Sequence, residues 1–116
     1  MIYIVDDDDS IRKSYEILLR SVNFNFKSFR SANDFLNNVK QTKNNVLILD
    51  MHMPEMSGCS VLDKLTENGI KLPVIVATAY DEPVTRECAE KYGAVGFLNK
   101  PVDSERLLNL IKSCEV

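Results

Sequence analysis

Short apolar runs alternate along the chain with longer segments in which apolar residues recur at helical spacing, and this alternation repeats five times. Three of the runs are continuously apolar, which is typical of central parallel strands that helices cover on both faces. Two other runs mix apolar and polar residues, as edge strands do. The pattern predicts five strands, at residues 2–5, 24–29, 46–49, 74–77 and 95–98.

The segments between and after these runs predict five helices, each with one apolar face directed toward the sheet. Ser31 and Asp103 suit N-cap positions, and Pro83 suits a first helical turn. Gly69 and Gly93 suit the left-handed residue that often ends a helix. The prediction is therefore an α/β fold: a single doubly wound domain of five strand–helix units over residues 1–116, with a five-stranded parallel sheet.

The length, composition and charge of the chain limit the classes of function that it can have. A chain of 116 residues with 45% hydrophobic and 27% charged residues is typical of one ordinary globular domain. Its net charge is −3 and its longest basic run is Arg12-Lys13, so direct nucleic-acid binding by this domain is not expected. No apolar run approaches the ~20 residues of a membrane span, and acidic residues stand where a signal peptide would be apolar. We therefore expect a cytoplasmic protein that does not bind membranes.

The three cysteines, Cys59, Cys88 and Cys114, are far apart in the sequence and form no CxxC pair. Any disulfide scheme would leave one of them unpaired. We interpret all three as reduced thiols that pack as small hydrophobic side chains.

Polar side chains follow four of the five predicted strands. Asp6 and Asp7 follow the first strand, Asp50 the third and Thr78 the fourth, and Lys100 comes shortly after the fifth. Because ligands bind at the carboxyl ends of strands in an open parallel sheet, these side chains are expected to converge. Clustered carboxylates repel one another, and a hard cation such as Mg²⁺ would offset that repulsion. With the cation, the ammonium and the hydroxyl in place, Asp50 could attack a phosphoryl group and form an aspartyl phosphate.

These residues resemble the receiver domain of two-component response regulators, the superfamily that includes the chemotaxis regulators, and the resemblance covers essentially the whole chain. The matching segments are the acidic pair in 4–7, the loop 49–54 followed by Gly58, the hydroxyl in 77–79 and the lysine in 97–101. Each segment is weak alone, whereas their order and their strand-end positions make the set specific. The resemblance implies a flavodoxin-like sheet with strand order 2-1-3-4-5.

The resemblance also implies a metal site. Asp7 and Asp50 would coordinate Mg²⁺ directly, with Mn²⁺ as an alternative ion, and Asp6 would act largely through water. His52 would offer its backbone carbonyl. Because the chain has a single histidine and no cysteine beside it, we do not expect the His52 imidazole to bind a transition metal.

The implied phosphoryl site and switch involve further positions. Thr78 and Lys100 would hold phosphoryl oxygens, and the peptide bond between Lys100 and Pro101 is a candidate for the cis isomer. Phe97 matches the aromatic residue that turns inward when the threonine moves, which alters the surface made by helix four, strand five and helix five. The rival interpretation of Phe97 is a side chain that only fills the core.

The resemblance implies a signalling switch, which catalyses only its own phosphorylation and slow autodephosphorylation. Its phosphoryl donor would be a phosphohistidine on a sensor histidine kinase or phosphotransfer protein, and it would act on an output domain or effector protein. A phosphorylation-dependent homodimer is a further expectation. His52 and Tyr80 lie where the family tunes the lifetime of the phosphate. The segments 93–97 and 100–102 are more similar to regulators of the nitrogen-fixation and nitrogen-control type than to winged-helix regulators.

Two other functions remain open at this point. A small phosphatase of the haloacid dehalogenase type also uses an aspartate nucleophile after a parallel strand. That family requires a second aspartate two residues later, where this chain has His52, and usually adds a cap domain. A pseudo-receiver would keep the fold and lose the chemistry, but the five chemical residues at the strand ends are all present here.

Overall fold

The computed structural model describes residues 1–39 and 44–114, in which five parallel strands form one sheet in the order β2-β1-β3-β4-β5. The strands are β1 (Ile2–Val5), β2 (Phe26–Phe29), β3 (Val46–Asp50), β4 (Val74–Thr78) and β5 (Gly96–Asn99). The helices are α1 (Asp9–Ser21), α2 (Ala32–Asn38), α3 (Gly58–Glu67), α4 (Pro83–Tyr92) and α5 (Ser104–Ser113). The predicted fold class and strand order are confirmed.

Alternate residues of each central strand face opposite layers of the core, which explains the continuously apolar runs. In β1, Ile2 and Ile4 pack with α1 and α5, whereas Tyr3 and Val5 pack with α2, α3 and α4. These four β1 side chains are buried, and burial of one such side chain contributes roughly 1.5–3 kcal/mol. The sheet therefore lies between two helical layers, with the carboxyl ends of its parallel strands along one edge.

The predicted helix boundaries agree closely with the structure. Ser31 is the N-cap of α2, where its hydroxyl accepts a hydrogen bond from the Asp34 N–H at 3.1 Å. Asp103 is the N-cap residue of α5, although its side chain makes no capping hydrogen bond. Pro83 begins α4, and the positive φ of Gly93, 89°, ends that helix.

The second strand is shorter than the sequence suggested. Residues 24–29 predicted a strand, whereas β2 begins at Phe26. The reason is that the Phe24 N–H donates to the Leu19 carbonyl at 3.0 Å, which makes Phe24 part of the turn that ends α1. Its ring still packs against the core beside α1 and α5, so its apolar character was informative about burial rather than about strand geometry.

The interpretation of three separate reduced thiols is wrong for two of them. Cys59 on α3 and Cys88 on α4 form a disulfide, with Cα atoms 5.9 Å apart, and Cys114 is free. The two residues are 29 positions apart in the sequence. Because α3 and α4 pack side by side on one face of the sheet, sequence distance is a poor guide to their separation.

None of the helices in residues 1–39 and 44–114 combines the length and apolar content that a membrane crossing requires.

Candidate functional site

Three carboxylates meet where β1 and β3 end. These strands are neighbours in register, with Val5 opposite Leu49, so the residues that follow lie side by side. One carboxylate oxygen from each of Asp6, Asp7 and Asp50 lies within 4.8 Å of the other two. Asp6 is 1% exposed and Asp50 4% exposed, whereas Asp7 faces solvent. The cluster therefore has a buried base and one open side.

Lys100 crosses the sheet edge from the end of β5 to reach this cluster. Its ammonium donates to Asp6 Oδ2 at 2.8 Å and lies 3.4 Å from Asp50 Oδ1. The backbone N–H of Lys100 donates to the Thr78 carbonyl at 2.8 Å, which fixes the start of the loop after β5. The peptide bond between Lys100 and Pro101 is cis.

Burial and charge shift the proton affinities of the cluster. Removal from water raises the pKa of Asp50 to about 6, with a further rise from the charge of Asp6 and partial opposition from Lys100. Burial alone would lower the pKa of Lys100, but its hydrogen bond to Asp6 and the two carboxylate charges outweigh this, and the pKa is raised. The lysine therefore stays charged, and its ammonium contacts two of the three carboxylates, those of Asp6 and Asp50.

This donor set fits a hard divalent cation. Carboxylate oxygens within a few ångströms of one another are the ligands that Mg²⁺ prefers, and one ammonium does not neutralise three carboxylates. Backbone groups orient two of the acids: the Asp8 N–H donates to Asp6 Oδ1 at 2.9 Å and the His52 N–H donates to Asp50 Oδ1 at 3.2 Å.

Gly58 holds the loop that follows Asp50 against the start of α3. Its N–H donates to the Met51 carbonyl at 3.1 Å. A Cβ at this position would lie 2.8 Å from the Met51 Cα and 3.0 Å from the Asp50 carbonyl oxygen. Those neighbours are backbone atoms, so they have little room to move, and only glycine allows this close approach.

Thr78 lies fully buried at the end of β4, and its hydroxyl is engaged with the backbone of Tyr80. Thr78 Oγ1 donates to the Tyr80 carbonyl at 3.0 Å and accepts from the Tyr80 N–H at 3.1 Å. Thr78 therefore lies at the same edge of the sheet as the carboxylates, and its hydroxyl is hydrogen-bonded within the β4–α4 loop.

His52 and Tyr80 meet at the mouth of the site. Their rings are perpendicular, with centroids 5.4 Å apart, and His52 Nε2 lies 3.4 Å from the Tyr80 carbonyl. Tyr80 is 64% exposed. Together they form one wall of an open cleft of about 570 Å³ whose base is the carboxylate cluster and Lys100.

Phe97 lies away from the carboxylates, on β5, where it packs partly buried against the core layer of α2, α3 and α4. The guanidinium carbon of Arg86, on α4, lies 4.3 Å from the centroid of the Phe97 ring. Arg86 also donates to both carboxylate oxygens of Asp81, at 2.8 and 3.0 Å. Phe97 therefore contacts the helix that follows the Thr78 loop.

Two residues beside the site were not singled out from the sequence. Arg12 on α1 donates to the Asp6 carbonyl at 2.7 Å and pairs with Asp9. Tyr15 is buried, its burial and then the nearby charges of Asp6 and Asp50 raise the pKa of its hydroxyl, and within the described residues this hydroxyl has no hydrogen-bond partner. Its position on the apolar face of α1 gave a signal for burial, but nothing in the pattern indicated that either side chain approaches the acids.

Comparison with known proteins gives a consistent identification. The sequence model of the protein family described as the response regulator receiver domain matches residues 2–112 of this chain. The response regulator protein TmoT of Ectopseudomonas mendocina is 42% identical over 113 residues, which are 97% of this chain and 51% of that protein. The transcriptional regulatory protein FixJ of Rhizobium meliloti is 38% identical over 112 residues, which are 96% of this chain and 54% of that protein.

A solved structure agrees with these sequence matches. The structure of the response regulator StyR superposes with a TM-score of 0.89 at 38% identity, covering 97% of this chain and 57% of that one. This chain spans about half the length of the curated relatives named above. The family match extends over both the sheet and the loops that carry the carboxylates and the lysine, and on these grounds the chain belongs to the receiver-domain family of two-component response regulators.

Proposed function

We propose that this chain is a phosphorylation switch in which Asp50 accepts a phosphoryl group from a phosphohistidine on a sensor histidine kinase or phosphotransfer protein. An Asp50 oxygen forms the new bond to phosphorus as the phosphorus–nitrogen bond of the donor breaks, and the imidazole keeps that electron pair. The observation that carries this proposal is the position of Asp50, which is nearly buried at the base of an open cleft with its Oδ1 3.4 Å from the Lys100 ammonium.

The acidic cluster would hold Mg²⁺, or Mn²⁺ as an alternative, through Asp6, Asp7 and Asp50, with the backbone carbonyl of His52 as a further ligand. When bound, the ion supplies positive charge that reduces the repulsion between the Asp50 carboxylate and an incoming phosphoryl group. The residues themselves hold Asp50 in place, since the His52 N–H donates to its Oδ1.

Lys100 and Thr78 would bind oxygens of the transferred group. The Lys100 ammonium is already within 3.4 Å of Asp50, so it needs only to exchange part of its contact with Asp6. Thr78 is different, because its hydroxyl donates to the Tyr80 carbonyl at 3.0 Å and must leave that acceptor to reach a phosphoryl oxygen. Phosphorylation would therefore release a hydrogen bond in the β4–α4 loop.

That release would reach the surface made by α4, β5 and α5. Asp81 follows Tyr80 directly and binds Arg86 through both carboxylate oxygens, and Arg86 covers the ring of Phe97. A shift of the loop would move this ion pair and free Phe97 to turn inward. The switch is thus a local charge change that biases the packing of one helix.

His52 and Tyr80 would set the lifetime of the aspartyl phosphate. Their perpendicular rings line the cleft beside Asp50, where they would hinder the approach of a hydrolytic water. The same placement disfavours a haloacid dehalogenase mechanism, because His52, rather than a second carboxylate, stands two residues after the nucleophile and its ring packs on Tyr80.

We also propose a cellular role. Residues 1–116 would act as one cytoplasmic receiver module that controls an output domain or effector protein, and phosphorylation would favour a homodimer. The names of the curated relatives include transcriptional regulatory proteins, and this chain covers about half of their length, which supports an output region of that kind. The receiver itself would bind neither nucleic acid nor membranes and would act as a switch rather than as an enzyme on an external substrate.

The test is phosphorylation by a small acyl-phosphate donor, read by intact mass with Mg²⁺ or with a chelator. We expect one phosphoryl group in the wild type with Mg²⁺, none with the chelator and none in Asp50→Asn. The matched control is Asp63→Asn, because Asp63 is an exposed carboxylate on α3 and should leave the adduct intact. Continuous phosphate release over many turnovers would favour the phosphatase. The absence of both a phosphoryl adduct and phosphate release would favour a pseudo-receiver.

A further inference from the structure

Two cysteines join α3 and α4, the helices that precede and follow β4 in the chain. Cys59 lies in the first turn of α3 and Cys88 in the middle of α4, with Cα atoms 5.9 Å apart. This separation is inside the range that a disulfide spans without backbone movement. Both side chains are partly buried against the core layer that α2, α3 and α4 share, and neither is sealed from solvent.

The position of each cysteine connects the pair to a functional part of the molecule. Cys59 follows Gly58, whose N–H holds the Met51 carbonyl in the loop after Asp50. Cys88 is two residues beyond Arg86, which covers Phe97. A bond between the cysteines therefore fastens α4, which carries the Asp81–Arg86 ion pair, to the helix that anchors the Asp50 loop.

We propose that Cys59 and Cys88 are a reversible redox modification site, at which oxidation by a low-molecular-weight disulfide ties α4 to α3 and reduction frees it. One cysteine thiolate attacks a sulfur of the small disulfide, which forms a mixed disulfide and releases one small thiol. The second cysteine thiolate then attacks the mixed disulfide and releases the second small thiol. The two protons and two electrons lost by the protein are those gained by the small disulfide.

Cys114 provides an internal comparison. It lies at the end of α5, where its thiol donates to the Leu110 carbonyl at 3.2 Å, and it is the free cysteine of the structure. It therefore reports general thiol oxidation in the same molecule, whereas only the Cys59–Cys88 pair closes a bond between helices.

The first measurement is the number of alkylated thiols after equilibration with defined ratios of reduced and oxidised glutathione, read by intact mass after denaturation. We expect three alkylated cysteines under reducing conditions and one under oxidising conditions, since the protein has three cysteines and Cys114 lies outside the Cys59–Cys88 bond. In Cys114→Ser, the number of alkylated thiols should fall from two under reducing conditions to none under oxidising conditions. Cys59→Ser and Cys88→Ser should form no internal disulfide. Three alkylated thiols at every ratio, or glutathione adducts without an internal bond, would overturn the proposal.

The second measurement is amide hydrogen exchange in α4, compared between the oxidised and reduced wild type. A covalent tie to α3 should slow exchange in α4 roughly ten-fold while leaving α1 unchanged. The Cys59→Ser, Cys88→Ser double variant should exchange equally under both conditions. Equal rates in the oxidised and reduced wild type would refute the restraint of α4. Neither measurement uses phosphorylation, and both can be repeated in Asp50→Asn, so failure of this inference is distinguishable from failure of the proposed function.

Discussion

Asp50→Asn should make the metal-free protein more stable at neutral pH, although it removes the proposed phosphoacceptor. The pKa of Asp50 rises from an ordinary 3.8 to about 6 because the carboxylate is buried beside Asp6. The folded state therefore binds this proton more tightly than the unfolded state does. Each pKa unit corresponds to 1.36 kcal/mol, and solvent in the open cleft screens part of the effect, so the ionised carboxylate lowers the free energy of unfolding by at most about 3 kcal/mol.

Because the pKa of Asp50 is raised in the folded state, the stability penalty appears as the pH increases. Well below pH 3.8 the carboxyl is protonated in both states and the penalty is absent, whereas well above pH 6 it reaches its full size. Between these values the penalty grows with pH, and at pH 5 it is about half of its full size. Asparagine avoids the penalty at every pH and keeps a carbonyl oxygen that can accept the His52 N–H.

The assay is urea denaturation in a chelator at pH 5 and pH 7.5, with Asp63→Asn as the control. We expect Asp50→Asn to gain up to about 3 kcal/mol at pH 7.5, which corresponds to a rise in Tm on the order of 10 °C, and about half as much at pH 5. The exposed Asp63 should change stability by less than about 0.5 kcal/mol. Equal or lower stability of Asp50→Asn at pH 7.5 would refute the reasoning. Mg²⁺ should stabilise the wild type more than the variant, because it binds the folded carboxylates.

Three further predictions follow from the same contacts. Gly58→Ala should lower the free energy of unfolding by about 1–3 kcal/mol. Gly96→Ala is the control, and a smaller loss is expected there because the added carbon meets the flexible side chain of Leu110. Equal losses in urea denaturation would contradict the close packing of Gly58 against the loop after Asp50. In a chelator, Lys100→Met should lower the free energy of unfolding by about 3 kcal/mol, because it leaves two buried carboxylates unpaired. Mg²⁺ should restore part of this stability. The same loss with and without Mg²⁺ would count against a cation site at these carboxylates. His52→Asn and Tyr80→Ala should both shorten the half-life of the aspartyl phosphate by opening the cleft to water, and unchanged half-lives in both variants would rule out this role.

Much of the fold was predictable from the apolar pattern of the strands, and the acidic cluster was predictable from the residues that follow them. A parallel sheet brings the residues after its strands to one edge, so Asp6, Asp7 and Asp50 could be grouped from the sequence alone. The same reasoning reached Lys100, whose long side chain spans the remaining distance. Strand boundaries were less accurate where a turn competes for an apolar residue, as at Phe24.

Features that depend on the contact between two helices were not predictable. The pairing of Cys59 with Cys88 requires the lateral position of α3 against α4, which no local pattern specifies. The hydrogen bond from Arg12 to the Asp6 carbonyl likewise depends on where the first turn of α1 sits. The engagement of Thr78 with Tyr80 is a property of the loop conformation, so the sequence located the hydroxyl but not its present acceptor.

The proposed phosphorylation and the proposed disulfide act on the same helix, and this makes them thermodynamically dependent on each other. Phosphorylation would move α4 through the Asp81–Arg86 pair, whereas the bond to Cys88 holds α4 against α3. If oxidation disfavours the phosphorylated arrangement by some factor, linkage requires that phosphorylation disfavours oxidation by the same factor. The phosphorylated protein should therefore need a more oxidising glutathione ratio for half-formation of the disulfide than the unphosphorylated protein does. The alkylation assay measures this shift directly, and Asp50→Asn treated with the same phosphoryl donor should show none. An identical midpoint in phosphorylated and unphosphorylated wild type would mean that α4 does not carry both signals.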